Sequence, residues 1–553
     1  MIIPKIHKFS ISFLFLLISW IFSSLHYLKI AYGNNLSWIT WLIAIVAFLY
    51  SFFPKNISLK KAKHYFKSSD LAMVIFLIIL YWPTHLWNFS IAPWNTNGLF
   101  DDAAWDIYFA KNHIFSGTPF QPAFFDTVGY ISREVVFHYY ISVFFKLFGY
   151  NLLVFNISLL VLGFITVFTT TFIIDRLFKN KLVTILSAII FNFLPFHYLH
   201  IFMGHRYAIA APLMVLSLYF LYTSFDNKSP FRAGLSALFA ALCWDSAIMG
   251  KQFILGLFLA GILKIIFDKK WRSSKNINIA LVWISGFIIC ATPLLVYVIF
   301  NYPEYTLREK NLSHEFFLNL KKGGLPALNP YFEDLSKLFF TKYDLKFFLP
   351  GFYPIPLSYY FLLIPGLFLS LIKKRFEIFF LSLIPVFAAF ISKPYDFRVL
   401  LAVPAWITSI AFSLNYLFGI ASKKKIFDKL IFSIGLTLIL IGIIPSFKYL
   451  WGVSKNPNYL YLLPHKDVAI SRVFQDIVEG TKSPADKMKA DEFNRKINIS
   501  FLSHDTFICP FSAYAIAHLY LQNYDDKKIL SFCDQGIQLL QTCLLYTSPS
   551  PRD

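Results

Sequence analysis

Long apolar stretches, almost free of charge, alternate with short polar loops along the first 450 residues. A helix that crosses a bilayer needs roughly 20 apolar residues. By that measure the pattern predicts spans at Phe9–Ala31, Leu36–Phe53, Leu71–Phe89, Asn151–Ile174, Leu182–Leu199, Ala208–Phe225 and Ala233–Ile248. It continues with Phe253–Phe267, Ile277–Phe300, Ile355–Ile372, Phe376–Ile391, Val399–Ile420 and Leu430–Leu450, about thirteen in all. Several are short and are expected to be tilted, broken or merged. A second span follows the first at once and no small-residue cleavage site stands out, so the first is not a cleaved signal peptide.

The loops carry a second pattern. Every other loop is basic: Lys5/Lys8, then Lys55 to Lys67, Arg176/Lys179/Lys181, Lys228/Arg232, Lys269 to Lys275, Lys373/Lys374/Arg375 and Lys423 to Lys429. The short loops between them hold only Arg206, Lys251, Lys393 and Arg398. Lysine and arginine accumulate on the cytoplasmic side, so the basic loops and the N-terminus are expected there. Ser90–Tyr150, Asn301–Pro354 and the tail from Trp451 then fall outside.

The expected fold class is an all-α polytopic membrane protein over residues 1–450, with outer loops at 90–150 and 301–354 and amphipathic helices on the outer surface. Residues 451–542 read as a small extracytoplasmic α/β unit, strand-like at Ile497–Leu502 and Ile529–Phe532 and helix-like at Ala513–Gln522. Cys509 and Cys533, in an oxidising compartment, are expected to form a disulfide. Cys543 to Asp553, CLLYTSPSPRD, match the translation of a sequencing-library adapter and are set aside, the natural chain being expected to continue past Thr542.

Composition sharpens this picture. The chain is 57% hydrophobic and 15% charged, whereas a soluble domain is about 25% charged. The net charge of +21 lies in the loops, so it reports membrane orientation and not a nucleic-acid partner. Cys243 and Cys290 lie inside apolar runs, and no cysteine pair has zinc or redox spacing.

Chemistry is sparse and sits on the outer side. Leu99 to Gly117, LFDDAAWDIYFAKNHIFSG, places Asp101 and Asp102 just beyond the end of a span, with Trp105, Tyr108 and Phe109 at helical spacing after them. Asp106 lies five residues beyond Asp101 and reads as a residue that solvates the loop. Ser132 to Asn151 forms an amphipathic surface helix. His138, His197, His200 and His205 share the outer side without HxxxH or HExxH spacing, which favours hydrogen bonding and ring packing over metal binding. No glycine-rich phosphate loop and no WWDYG motif is present.

The carboxylate pair, the aromatic helix closing at Gly117, the amphipathic helix ending FKLFG, the basic end DRLFKNK and the segment FLPFHYLHIFMGHRYA together resemble a known family. The pattern is similar to the polyprenyl-phosphate-sugar-dependent glycosyltransferases of the GT-C superfamily. These include protein O-mannosyltransferases, lipid A aminoarabinose transferases and lipopolysaccharide sugar transferases. The resemblance covers Phe89 to about Tyr416. It implies a GT-C-like fold in a bacterial inner membrane, with an extracytoplasmic site that moves a sugar from a polyprenyl-phosphate donor to a lipid, glycan or protein hydroxyl. It implies Asp101 as base and Asp102 as its partner, although many relatives have Glu at the second position and a proline pair where this chain has Glu134–Val135–Val136. A leaving lipid phosphate needs cationic donors near the membrane surface. The outer-side cations Arg206, Lys251 and Arg398 are the candidates, with Glu134, His205 and Asp245 as accessories. Asp245 is also placed to pair with Lys251. No metal is required, though the Asp pair could hold a divalent ion. The competing readings are a polysaccharide polymerase or ligase with a diphosphate donor, and a secondary transporter or lipid flippase.

The alternation of basic loops makes a direct prediction: Asn97→Cys and Asn458→Cys should both react with a membrane-impermeant thiol reagent in whole cells. Labelling only after permeabilisation would overturn the topology.

Overall fold

The structure is a computed structural model that describes residues 6–29, 33–54, 68–86, 106–107, 109–111, 118–120, 123–124, 132–150, 152–202, 206–340, 353, 355–392, 396–421 and 425–455. Asp101, Asp102, His205, the α/β reading of the tail with Cys509 and Cys533, and residues 543–553 lie outside the described residues.

The chain opens with α1 (Ile6–Tyr27) and α2 (Gly33–Ser51), then α3 (Ser68–Tyr81), which passes into a π turn at Trp82–Leu86. A two-residue antiparallel ladder follows, β1 (Ala123–Phe124) with β2 (Ser132–Arg133), pairing Ala123 with Arg133. Next come α4 (Val136–Phe148), α5 (Leu152–Phe178), α6 (Lys181–Asn192), α7 (Pro195–Phe202), a 3₁₀ turn at Arg206–Ile209 and α8 (Ala210–Asp226). After these run α9 (Pro230–Trp244), α10 (Ile248–Phe267), α11 (Ser274–Phe300), α12 (Tyr302–Gly323) and α13 (Asn329–Phe340). The chain then forms α14 (Leu357–Ile372), α15 (Phe376–Ile391), a 3₁₀ turn at Asp396–Val399, α16 (Ala402–Ala421) and α17 (Lys425–Lys455).

Each predicted apolar run lies on a helix, with instructive breaks. The Leu182–Leu199 run splits at Phe193 and Leu194, because Pro195 lacks an N–H and starts α7 instead of continuing α6. The Ala233–Ile248 run ends early: α9 stops at Trp244, and Asp245 caps it. Residues 301–340 hold α12 and α13, and Phe316, Leu328 and Tyr331 anchor them on Phe390 of α15.

Among the described residues, six helical stretches are long and apolar enough to cross a membrane. Their surfaces agree with a lipid solvent. Phe13, Val46, Ile79, Phe258 and Phe361 are each more than half exposed, while serines lie inside. Ser12 donates to Ala44 O at 2.8 Å and Ser23 meets Ser37 at 2.6 Å across the α1–α2 contact. Small polar side chains between helices with apolar exteriors are the pattern of membrane bundles, and the protein is a multi-pass membrane protein.

Helix-internal prolines show how the bundle manages its backbone. A proline at position i opens the hydrogen-bond ladder one turn back, and lipid offers no water to satisfy what is opened. The bond removed is the one to the carbonyl four residues back, and the carbonyl next to it, three residues before each such proline, accepts a side-chain donor. Before Pro293 of α11, Cys290 O accepts from Trp41 Nε1 of α2 at 3.1 Å. Before Pro365 of α14, Leu362 O accepts from Ser413 of α16 at 2.6 Å. Before Pro385 of α15, Ser382 O accepts from Trp406 Nε1 of α16 at 3.0 Å. Before Pro445 of α17, Gly442 O accepts from Ser446 of the same helix at 2.8 Å. The central α16, in contact with α5, α6, α14, α15 and α17, thus satisfies two of its neighbours. It approaches α14 so closely that a Cβ at Gly366 would fall 1.8 Å from Ser409 O.

Near the basic loops, one buried carboxylate joins three helices. Glu377 of α15 is 2% exposed. It accepts from Tyr222 of α8 at 2.8 Å and pairs with Lys264 of α10 at 2.8 Å, while Arg375 stands 3.8 Å away.

Trp406→Phe keeps an aromatic ring and removes the N–H that reaches Ser382 O, so it should cost about 0.5–1.5 kcal/mol for the lost hydrogen bond, read as a lower unfolding temperature in detergent. Wild-type thermal stability for that variant would show that this bond does not help to hold α15 to α16.

Candidate active site

At the end of the bundle away from the basic loops, segments distant in sequence meet. The 3₁₀ turn before α8 carries Arg206, and α8 ends at the opposite face, where Asp226 pairs with Arg176 at 2.8 Å. Arg206 is fully surrounded, at 1% exposure. Its Nε lies 3.4 Å from Glu134 Oε2, and its Nη1 lies 3.8 Å from Asp106 Oδ1. Asp106 is 0% exposed and meets His138 Nε2 at 3.0 Å. Glu134 follows β2 directly, and His138 lies one helical turn further, at the start of α4. His138, Ile141 and Phe145 fall on the buried face of α4, while Leu147 and Phe148 remain exposed.

The α9–α10 corner brings the second half of the cluster. Asp245, 3% exposed, accepts from the backbone N–H of Val135 and lies in the fields of both Glu134 and Lys251. The corner is tight: a Cβ at Gly250 would sit 1.7 Å from Cys243 O. Glycine is therefore required for α10 to start against the end of α9, which is what holds Asp245 and Lys251 together. Lys251 Nζ stands 3.8 Å from the ring centre of Tyr305 on α12, a cation–π distance. The ring of Tyr305 meets Tyr297, which meets Tyr27 at 5.7 Å. Tyr27 shares a 2.7 Å hydrogen bond with Thr118 of the first outer loop. In the same loop Phe120 holds φ = 64° with its ring 5.3 Å from Trp41. A bulky residue adopts that conformation at a cost of about 1–3 kcal/mol and only when its surroundings enforce it.

The structure thus brings Arg206, Glu134, Asp245 and Lys251 together. Arg398 is placed differently: it is 7% exposed and donates to Ser392 O at the end of α15. The reading of Asp106 as a loop-solvating residue is corrected. Its carboxylate is buried between Arg206 and His138, because a buried carboxylate must find opposite charge and hydrogen bonds. The signal was available in part, since Asp106 follows Asp102 by four residues, the spacing that puts two side chains on one helix face. Of the histidines, His138 hydrogen-bonds, and His197 packs on Phe191 at 4.6 Å and meets His85 at 5.7 Å. Among the described residues no group of three or more His, Cys, Asp or Glu is placed to hold a metal ion.

No protein-family model matches the chain, and no curated protein matches it significantly. Solved structures do. The archaeal oligosaccharyltransferase AglB from Archaeoglobus fulgidus, in complex with an inhibitory peptide and a dolichol-phosphate, matches at TM-score 0.46 and 11% identity over 74% of this chain. This chain spans 58% of that one. ArnT from Cupriavidus metallidurans bound to undecaprenyl phosphate matches at TM-score 0.46 and 8% identity, over 74% of this chain and 80% of that one. Its apo state matches at TM-score 0.42 and 11% identity, over 74% and 81%. Similarity of this depth assigns neither the reaction nor the functional residues of this chain.

Asp106→Asn removes the charge that faces Arg206 and His138. Loss of one partner from a buried ion pair costs about 3–5 kcal/mol, so the variant should unfold at lower temperature, and far less so in a His138→Leu background. Equal effects in both backgrounds would show that the two side chains are not coupled.

Proposed function

We propose that the protein is a membrane glycosyltransferase that takes a sugar from a polyprenyl-phosphate donor and gives it, with inversion, to an acceptor hydroxyl outside the cytoplasm. The observation that carries this reading is Arg206, buried between Glu134 and Asp106 beside the Asp245–Lys251 corner. Ionisable groups at membrane depth are costly and mark functional sites. Glu134 and Asp106, at 3.4 and 3.8 Å, balance the guanidinium's charge inside the protein, and a buried guanidinium is suited to recognise a phosphate by directed N–H groups.

In this reading the acceptor hydroxyl attacks the anomeric carbon and its proton passes to Asp101, with Asp102 beside it. The bond between that carbon and the phosphate oxygen breaks, and the polyprenyl phosphate leaves with both electrons. Its charge is taken up by Arg206 and Lys251, with Arg398 as a third cation. Asp106, Glu134, His138 and Asp245 are positioning residues that hold the cations. The acceptor is a lipid, glycan or protein, and the setting is a bacterial inner membrane with the basic loops in the cytoplasm. The chemistry requires no metal, and a divalent ion on Asp101 and Asp102 would serve only as an additional electrophile.

The test is sugar transfer from a polyprenyl-phosphate donor in membranes carrying each variant. Asp101→Asn should retain donor binding and lose about 100- to 10,000-fold in turnover, the usual worth of a general base. Arg206→Ala and Lys251→Ala should weaken donor binding as well, since the phosphate is charged before reaction. Glu333→Gln, on the exposed face of α13, should be near neutral. Wild-type turnover by Asp101→Asn would remove it as the base.

A further inference from the structure

At the basic end of the bundle, α5, α14 and α16 enclose a cavity of about 500 Å³. Lys373, Arg375, Asn415 and Tyr416 supply its polar lining, Phe178 and Phe412 part of its apolar wall, and no carboxylate lines it.

The surrounding cations are mostly committed within the protein. Arg176 pairs with Asp226 at 2.8 Å, and Lys181 with Asp175 at 3.0 Å. Lys374, in the left-handed conformation at φ = 56°, donates to Phe267 O at 2.7 Å. That turn sends consecutive side chains in different directions: Lys374 toward α10, Lys373 and Arg375 into the cavity wall. Arg375 stands 3.8 Å from Glu377, which Tyr222 and Lys264 approach more closely at 2.8 Å, and 5.5 Å from the Tyr222 ring centre. The same guanidinium lines the cavity. Two cations and an amide converge above an aromatic floor, next to helices whose outer faces meet lipid.

We propose that this cavity binds a phosphate group, presented as the headgroup of an anionic lipid in the leaflet at the basic end. The guanidinium of Arg375 and the amine of Lys373 take the phosphate oxygens, the Asn415 amide donates to the same group or to the glycerol, and the first acyl carbons run along Phe178 and Phe412. The site is separate from the outer cluster and stands whether or not the transferase reading holds. Phosphate recognition by a fork and a point charge together follows from the chemistry of the two cations, and basic pockets between membrane helices suit lipid headgroups.

The experiment is native mass spectrometry of the detergent-purified full chain titrated with phosphatidylglycerol or phosphatidylcholine. Saturable binding of phosphatidylglycerol over phosphatidylcholine is expected. Lys373→Gln and Asn415→Leu should each weaken it, the former about five-fold, the contribution of one interfacial lysine. The exposed Lys269→Gln, on the same end of the bundle, should not. Equal loss from Lys269→Gln would reduce the effect to general surface charge and overturn the site. So would unchanged binding by Lys373→Gln and Asn415→Leu. Displacement of the lipid by millimolar inorganic phosphate would overturn the lipid as the source of the phosphate.

Discussion

A backbone polar group inside a bilayer has no water to turn to, and the rest of this structure follows from that constraint. Regular helices meet it residue by residue. Proline does not, and four helices carry one internally. One feature recurs beside the break: a tryptophan N–H or a serine hydroxyl donates to the carbonyl three residues before the proline, next to the one that loses its N–H partner. Three of these donors come from another helix, so the weakened stretch of backbone is also where helices are bonded to each other. In membranes, where apolar burial gives helices little reason to associate, such contacts specify which helices are neighbours.

The same constraint applied to side chains separates two kinds of buried charge. Glu377 is gripped at 2.8 Å by both Lys264 and Tyr222. This is the geometry in which mutual attraction offsets the several kcal/mol lost on leaving water, and it makes a clamp across α8, α10 and α15. Arg206 is as deeply buried, with its carboxylate neighbours at 3.4 and 3.8 Å. Those charges come from a 3₁₀ turn, the residue after β2 and a short segment between α3 and α4. One cluster thus ties helix to helix, and the other ties together the turns and short segments at the far end of the bundle.

How far these features could be read in the sequence depends on their range. Apolar runs are local in origin, because the lipid imposes composition directly, and their described residues lie mainly on helices. That Arg206, Asp245 and Lys251 stand out was also legible, since charges are few in the loops between the basic ones. Asp106 and His138 were not. A single aspartate in a polar loop reads as solvated, and its burial is decided by α4 and the Arg206 turn, 32 and 100 positions away. Arg398, as conspicuous as Arg206, is buried and donates to the carbonyl at the end of α15, a partner that no local pattern announces. A sequence shows that a charge is out of place, and only the packing shows what it faces.

The way these charges are mounted matters as much as their partners. A group of charges gains most from rigidity, because an environment organised beforehand needs no rearrangement when a further charge approaches. Here Arg206 sits on a turn fused to α8, and Lys251 lies one residue beyond a glycine that the α9–α10 corner cannot replace. Asp106, buried against both His138 of α4 and Arg206, ties the turn before α8 to the start of α4. Asp245 accepts from Val135 and so ties the α9–α10 corner to the same start. The packing of this region therefore converges on two buried aspartates. A buried carboxylate is stable only where opposite charge and hydrogen bonds surround it, and that requirement draws four separate segments to one place.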